Sequence, residues 1–289
     1  MATPVEIDAM RHALVLSAAG LGSTSPNPPV GCVILTPGGQ TAGTGWHARK
    51  GEPHAETQAL AAAGDRARGG TAVVTLEPCN HVGRTPACRQ ALLDAGVARV
   101  VIGVLDPTSR GEGGAAVLRA HGVEVEVGVL ADEVTVVLGP WLTAQTTGRP
   151  TVTAAYQAAA DGISAVTDGA LIRELSAGVD VVIHPDGRLQ EANRHGRDVL
   201  TLPTNAGMND PACLLTTLYT GGARTVLLLG EPQHLPAFLA AGLIDRAVVM
   251  CPLDPPVLRE SLLTGFQVTG VAKAGGKLRI DLLRPASIT

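Results

Sequence analysis

Ile7, Met10, Leu14 and Ala18 recur at the period of one helix face and predict a helix over residues 5–19. The pattern then changes. Val30–Leu35 and Thr41–Trp46 are short apolar runs on either side of Gly38-Gly39, which reads as a strand pair joined by a hairpin. Ala55–Ala63 is built mostly of good helix formers. Ala72-Val73-Val74-Thr75-Leu76 lacks polar alternation and reads as a buried strand. A second short helix containing Cys88 follows, then a strand at Arg99–Val104, a helix near Ala115–His121, a strand at Glu124–Val127 and a helix from Ala131. Gly139-Pro140 and Gly148-Arg149-Pro150 bracket the expected exit from this first unit.

The second half has its own rhythm. A strand Val179–Ile183, a turn at Pro185-Asp186-Gly187, a strand Val199–Leu202 and a helix over 211–220 come first. A strand Thr225–Leu229, a helix over 235–241 and a strand Ala247–Met250 complete it. Strands alternating with helices predict an α/β architecture whose sheets are covered on both faces. The chain divides into two such domains, 1–146 and 147–289. It carries no dinucleotide-type glycine fingerprint and no internal repeat.

Composition narrows the function. The net charge is −4 and aromatic residues are 2%, so the clustered cations and stacking rings that long nucleic acids require are missing. A small-molecule substrate is expected, with no nucleic-acid partner. No apolar run is long enough for a membrane span and none resembles a signal peptide. Five cysteines, an odd number, suit a reducing cytoplasm. Cys32, Cys213 and Cys251 sit in or beside apolar runs and read as small buried hydrophobes.

The chemistry is concentrated in Pro53-His54-Ala55-Glu56, Glu77-Pro78-Cys79 and Cys88. An imidazole, two thiolates and a carboxylate that is not a ligand are the parts of a hydrolytic zinc deaminase. The metal lowers the pKa of a bound water to about 7 and the free carboxylate, Glu56, shuttles its proton. His54 and Glu56, two residues apart, would point about 200° away from each other within a regular helix. They converge only if His54 stands at the helix entrance, which Pro53 before it favours. Thr85-Pro86 likewise reads as an N-cap and first helical residue, placing Cys88 in the first turn, where the positive helix end favours a thiolate. The alternative is a closed structural site or plain core residues. A structural site takes a fourth protein ligand, for which only His81 is near in sequence, and it has no use for Glu56.

These segments, with Pro26-Asn27-Pro28-Pro29-Val30-Gly31-Cys32-Val33, Gly45-Trp46-His47 and Asn80-His81-Val82-Gly83-Arg84-Thr85-Pro86-Ala87, resemble the bifunctional riboflavin-biosynthesis deaminase–reductase family. The eight residues between Cys79 and Cys88 separate this pattern from deaminases with a C-x-x-C spacing. The resemblance implies a cytidine-deaminase-like three-layer α/β/α domain, followed by a shortened, dihydrofolate-reductase-like α/β domain. It also implies hydrolytic deamination of 2,5-diamino-6-(5-phosphoribosylamino)pyrimidin-4-one. By position it makes His54, Cys79 and Cys88 the Zn2+ ligands and Glu56 the catalytic proton shuttle. Asn27, His47, His81, Arg84 and Asp106 become substrate contacts. From residue type alone, Asn27 equally suits a turn between prolines, and Arg84 suits a phosphate by its fork geometry.

The chain departs from the family in several places. Asp106-Pro107 is followed by Thr108-Ser109 where the family has Asn-Pro. Asp161-Gly162 and Ala241-Gly242-Leu243-Ile244-Asp245 match reductase motifs, but Ala155 and Ala159 replace the family's lysine and serine. Gly230-Glu231-Pro232 stands in place of a Glu-Gly-Gly turn, and the segment with the family's Asp-Asp-Pro is missing, shortening the domain by roughly a third. The expectation is a reductase half without a competent NADPH site, retained for scaffolding or dimerisation in a homo-oligomer. The competing expectations are a deaminase of a related aminopyrimidine or purine in another pathway, a complete deaminase–reductase, and a non-catalytic scaffold that keeps zinc.

Overall fold

The computed structural model describes residues 1–80, 87–109, 111–159, 162–192, 200–203, 210–230, 234–253 and 264–285. It contains two compact units, Met1–Thr146 and Thr147–Thr289.

The first unit is built on a five-stranded sheet ordered β2-β1-β3-β4-β5. Its strands are β1 (Gly31–Leu35), β2 (Thr41–Trp46), β3 (Thr71–Leu76), β4 (Arg99–Val104) and β5 (Glu124–Val127). β1 pairs antiparallel with β2 and β3, and β3, β4 and β5 run parallel. The opening helix α1 (Pro4–Ala18) starts at a capping box in which Thr3 and Glu6 satisfy each other's main-chain N–H groups.

Register decides which face each helix covers. Cys32 of β1 lies opposite Gly45, and both face α2 (Ala55–Ala63); Gly31, one residue earlier, faces α1 on the other side. A Cβ on Gly31 would lie 1.9 Å from the Ala13 carbonyl of α1. On Gly43 and Gly45 it would lie 2.2 and 2.4 Å from the carbonyls of Ala59 and Ala55 in α2. Main chain therefore packs directly on main chain, which is why so alanine-rich a helix can dock tightly: its buried face is Ala55, Glu56, Ala59 and Ala63. The helices α3 (Cys88–Asp94), α4 (Gly113–Ala120) and α5 (Ala131–Thr147) complete the layers. α5 covers the α1 face, where Val134 packs on Gly103 of β4.

Two expectations for this unit are corrected. Gly139-Pro140 does not mark an exit, because both residues lie inside α5. Val134, Leu138, Trp141 and Ala144 form a buried stripe at helical spacing, and that burial holds the helix through the proline. The chain instead leaves through Gly148, whose φ is +66°, into the next strand at Thr151. The N-cap of α3 is Ala87, whose side chain has no acceptor for a cap; Thr85 and Pro86 lie outside the described residues.

The second unit holds an eight-stranded sheet, β12-β13-β11-β6-β10-β8-β9, with β7 paired to β6. Its strands are β6 (Thr151–Ala159), β7 (Gly162–Ala165), β8 (Val181–Ile183), β9 (Leu189–Glu191), β10 (Thr225–Leu229), β11 (Arg246–Pro252), β12 (Gln267–Ala274) and β13 (Lys277–Leu283). β6 runs parallel to β10 and β11 at the centre. Tyr156 and Ala154 join one core with Leu215 and Leu218 of α7 (Pro211–Thr220) and Phe238 of α8 (Leu235–Ala240). Ala155, pointing the opposite way, joins another with Leu171 of α6 (Gly169–Ser176). The expected strand at Val199–Leu202 is not formed: residues 200–203 are irregular and Val199 lies outside the described residues. The Thr201 N–H donates to the Gly221 carbonyl at 3.0 Å, which places it beside the end of α7.

Candidate active site

His54 is the N-cap of α2, with extended backbone (φ −68°, ψ 163°), and its carbonyl accepts the first helical bond, from the Gln58 N–H at 3.1 Å. The helix entrance thereby turns His54 away from the spiral while Glu56 is inside the first turn. Cys79 follows the end of β3, and Cys88 opens α3. His54 Nδ1 lies 3.8 Å from Cys79 Sγ and 3.3 Å from Cys88 Sγ. The three donor atoms all lie within 4.8 Å of one another and form the one His/Cys/Asp/Glu cluster of this kind among the described residues. An N/S/S set at this separation suits tetrahedral Zn2+ and leaves a fourth position for water or substrate.

The electrostatics fit a cation as well. The Cys79 thiol is pushed down to about 4, first by the hydrogen bond from Cys88 and then by His54. That same bond and burial push Cys88 up, because two adjacent sulfurs cannot both ionise without a positive partner. The Cys88 N–H also donates to Cys79 Sγ at 3.2 Å, so the start of α3 supplies a dipole to the sulfur pair. His54 is raised, chiefly by its bond to Cys79.

Glu56 is 4% exposed, and burial pushes its carboxyl up to about 7, with the Cys79 charge acting in the same direction. A carboxyl in that range both accepts and returns a proton at neutral pH. Cys32, on the sheet face beneath α2, is held far above the usual thiol range by burial and by the charge of Glu56, so it stays a protonated core residue.

His47 is 2% exposed, and both its ring nitrogens are engaged. Nδ1 faces the Pro53 carbonyl at 3.2 Å, so it carries the proton, and Nε2 is left to accept from Asn27 Nδ2 at 3.2 Å. Burial lowers its pKa and keeps the ring neutral. The ring packs edge-on against His54 with centroids 5.3 Å apart. Asn27 is held in turn: its N–H donates to the Thr24 carbonyl at 3.0 Å, and Trp141 Nε1 donates to the carbonyl of neighbouring Pro26 at 2.9 Å. Asp106 stands in the loop after β4, half-buried, its Oδ1 accepting from both the N–H and the hydroxyl of Thr108 at 2.8 and 2.7 Å. His81 and Arg84 lie outside the described residues.

Glu77, part of the Glu77-Pro78-Cys79 run, has a place in the structure that its residue type did not disclose. Glu77 is buried, and its carboxylate accepts from the Asp106 N–H at 3.2 Å and the Ala115 N–H at 2.9 Å. Its signal was present in the Glu-Pro-Cys run, where a charged side chain interrupts an otherwise apolar strand end.

The family model for the cytidine and deoxycytidylate deaminase zinc-binding region matches residues 5–104, which include all three donor residues and Glu56. The chain is 35% identical to the riboflavin biosynthesis protein RibD of Mycobacterium tuberculosis, over 94% of this chain and 91% of that one. It is 49% identical to a diaminohydroxyphosphoribosylamino-pyrimidine deaminase of Buchnera aphidicola, over 43% of this chain and 84% of the relative. Its structure is similar to that of Acinetobacter baumannii RibD, with a TM-score of 0.76 and 29% identity, covering 97% of this chain and 99% of the other.

Proposed function

The chain belongs to the RibD family of riboflavin biosynthesis, and on that premise we propose that His54, Cys79 and Cys88 hold the zinc of a deaminase in which Glu56 moves the proton. The substrate proposed is the diaminohydroxyphosphoribosylaminopyrimidine of the Buchnera relative's name. The observation that carries this reading is the convergence of one imidazole nitrogen and two sulfurs within 4.8 Å, with a buried carboxylate two residues from the histidine. Zinc in such a site makes water a nucleophile near neutral pH.

The chain's own residues do the rest. Glu56 takes a proton as water adds to the amine-bearing ring carbon. It returns that proton to the departing nitrogen, so the C–N bond breaks, ammonia leaves and a ring carbonyl remains. His47, with its Nδ1–H on the Pro53 carbonyl, fixes the segment that enters α2 and aims the amide of Asn27 at the substrate. Asp106, His81 and Arg84 are proposed as further substrate contacts, Arg84 toward the phosphate.

A related aminopyrimidine or purine is the second reading. It is favoured by Thr108, which engages the Asp106 carboxylate where the family carries Asn-Pro. Hydride transfer by the second unit is proposed to be lost. Ala155, at the family's lysine position, is fully buried among Leu171, Leu227 and Met250 and offers no polar group to a ligand. Competition between the two pyrimidine and purine classes for ammonia release by the zinc-loaded protein separates the readings: the phosphoribosylated pyrimidine should dominate, and preference for a free base would favour the second.

A further inference from the structure

Glu77 lies between the end of β3 and the Cys79 segment, and nothing in the reaction uses it directly. Its main-chain N–H extends the parallel pairing of β3 with β4 by donating to the Val104 carbonyl at 2.9 Å. Its carboxylate, 6% exposed, is divided between two main-chain donors on other elements. Oε2 takes the Asp106 N–H, and Oε1 takes the N–H of Ala115, the third residue of α4. That helix has no side-chain cap from its own N-cap residue, Glu112. The buried carboxyl group of Glu77 therefore fills the place of a cap at the start of the helix.

The fit is close on both sides. Gly113 has φ +81°, and a Cβ there would come within 2.5 Å of Glu77 Oε1; a Cβ on Gly114 would come within 1.9 Å of the Pro78 carbonyl. The two glycines let α4 seat against the Glu77-Pro78 step immediately before Cys79. One carboxylate thus links the turn that presents Asp106, the start of α4 and the strand end that delivers a sulfur to the metal site.

We propose that Glu77 is a positioning residue of the deaminase site, holding the Asp106 turn in register with the Cys79 segment by bridging the Asp106 and Ala115 main-chain amides. The inference deepens the deaminase reading above and rests on it for the role of Asp106. Glu77 touches neither substrate nor metal in this scheme. It acts on substrate affinity through Asp106.

The test is Glu77→Gln in the zinc-loaded full chain. The amide keeps one acceptor, which should go to Ala115, the shorter bond, and turns an NH2 toward the Asp106 N–H, so that single link is lost. KM for the diaminohydroxyphosphoribosylaminopyrimidine should rise roughly ten-fold, the scale for losing an outer-shell hydrogen bond, with kcat and the zinc content near parental. Asp106→Ala should raise KM similarly, and combining the two should add little, because both act through one turn. Hydrogen exchange should quicken at the Asp106 amide and not at Ala115. Additive effects on KM, a parental KM in Glu77→Gln, or unchanged exchange at Asp106 would each overturn the proposal. If Glu77→Gln does not fold, Glu77→Asp, which keeps the charge but cannot reach both donors, should give the same split, and a parental KM there counts equally against it. No turnover by the parental protein would defeat the substrate reading instead, and exchange at the Asp106 amide would then decide by itself whether Glu77 holds that turn.

Discussion

At the scale of single residues, Glu56 and its neighbours carry the account. The convergence of His54, Cys79 and Cys88 beside Glu56 was legible from spacing, because a histidine and a glutamate two apart can face one point only at a helix entrance, and His54 has the extended backbone of an N-cap. Replacing Glu56 by Gln should keep one zinc per chain, measured by metal analysis, and lower ammonia release by about 10²–10⁴-fold, the usual weight of general acid–base catalysis. A parental rate would exclude Glu56 as the shuttle. What residue types could not disclose was how the neighbours are spent. His47 gives both ring nitrogens to Pro53 and Asn27, and Asp106 gives an oxygen to Thr108. Such pairings depend on loops brought together from distant parts of the chain, as Asn27 and His47 are.

At the scale of elements, the deaminase half was readable because its strands are short apolar runs and its helices keep period. β2, β4 and β5 coincide with the expected bounds. Pro140 was misleading because a buried stripe on α5 outweighs one lost hydrogen bond. The strands β6, β12 and β13 went unread: β6 is rich in alanine, β12 is an edge strand with largely exposed faces, and β13 carries a period-2 alternation of Leu278, Ile280 and Leu282 with polar residues that the reading passed over. Close packing gives a direct test at this scale. Gly45→Ala places a methyl group against the Ala55 carbonyl and should cost about 1–3 kcal/mol, the range for overpacking, seen as a lower thermal midpoint. It should also reduce ammonia release, since α2 carries both His54 and Glu56. A second test concerns Glu6, whose carboxyl burial alone would raise; the Arg99 guanidinium at 2.7 Å outweighs that and holds it below the usual range. Its contribution is therefore complete above about pH 5 and is lost as pH falls through the lowered value. Glu6→Gln should be less stable than the parent at pH 7 by about 1–3 kcal/mol in denaturant melts, and the gap should narrow under strongly acidic conditions. A gap that widens in acid would reverse the sign of this argument.

At the scale of the whole molecule, the chain pairs a deaminase unit with a second α/β unit. No helix among the described residues is long and apolar enough to cross a membrane. In the second unit the sheet is complete, and the proposed loss of hydride transfer rests on Ala155, which is fully buried and offers only a methyl group. Titration with NADPH should accordingly give no saturable binding at micromolar concentration, and no NADPH oxidation should follow when the deaminated product is supplied; saturable binding with turnover would restore a bifunctional enzyme. Ammonia release is the readout of zinc-dependent deamination. The purified protein, given the diaminohydroxyphosphoribosylaminopyrimidine, should release one ammonia per substrate, stop after chelation and resume when Zn2+ alone is restored. Release that persists in the chelated protein, or none from the fully zinc-loaded one, would contradict the account.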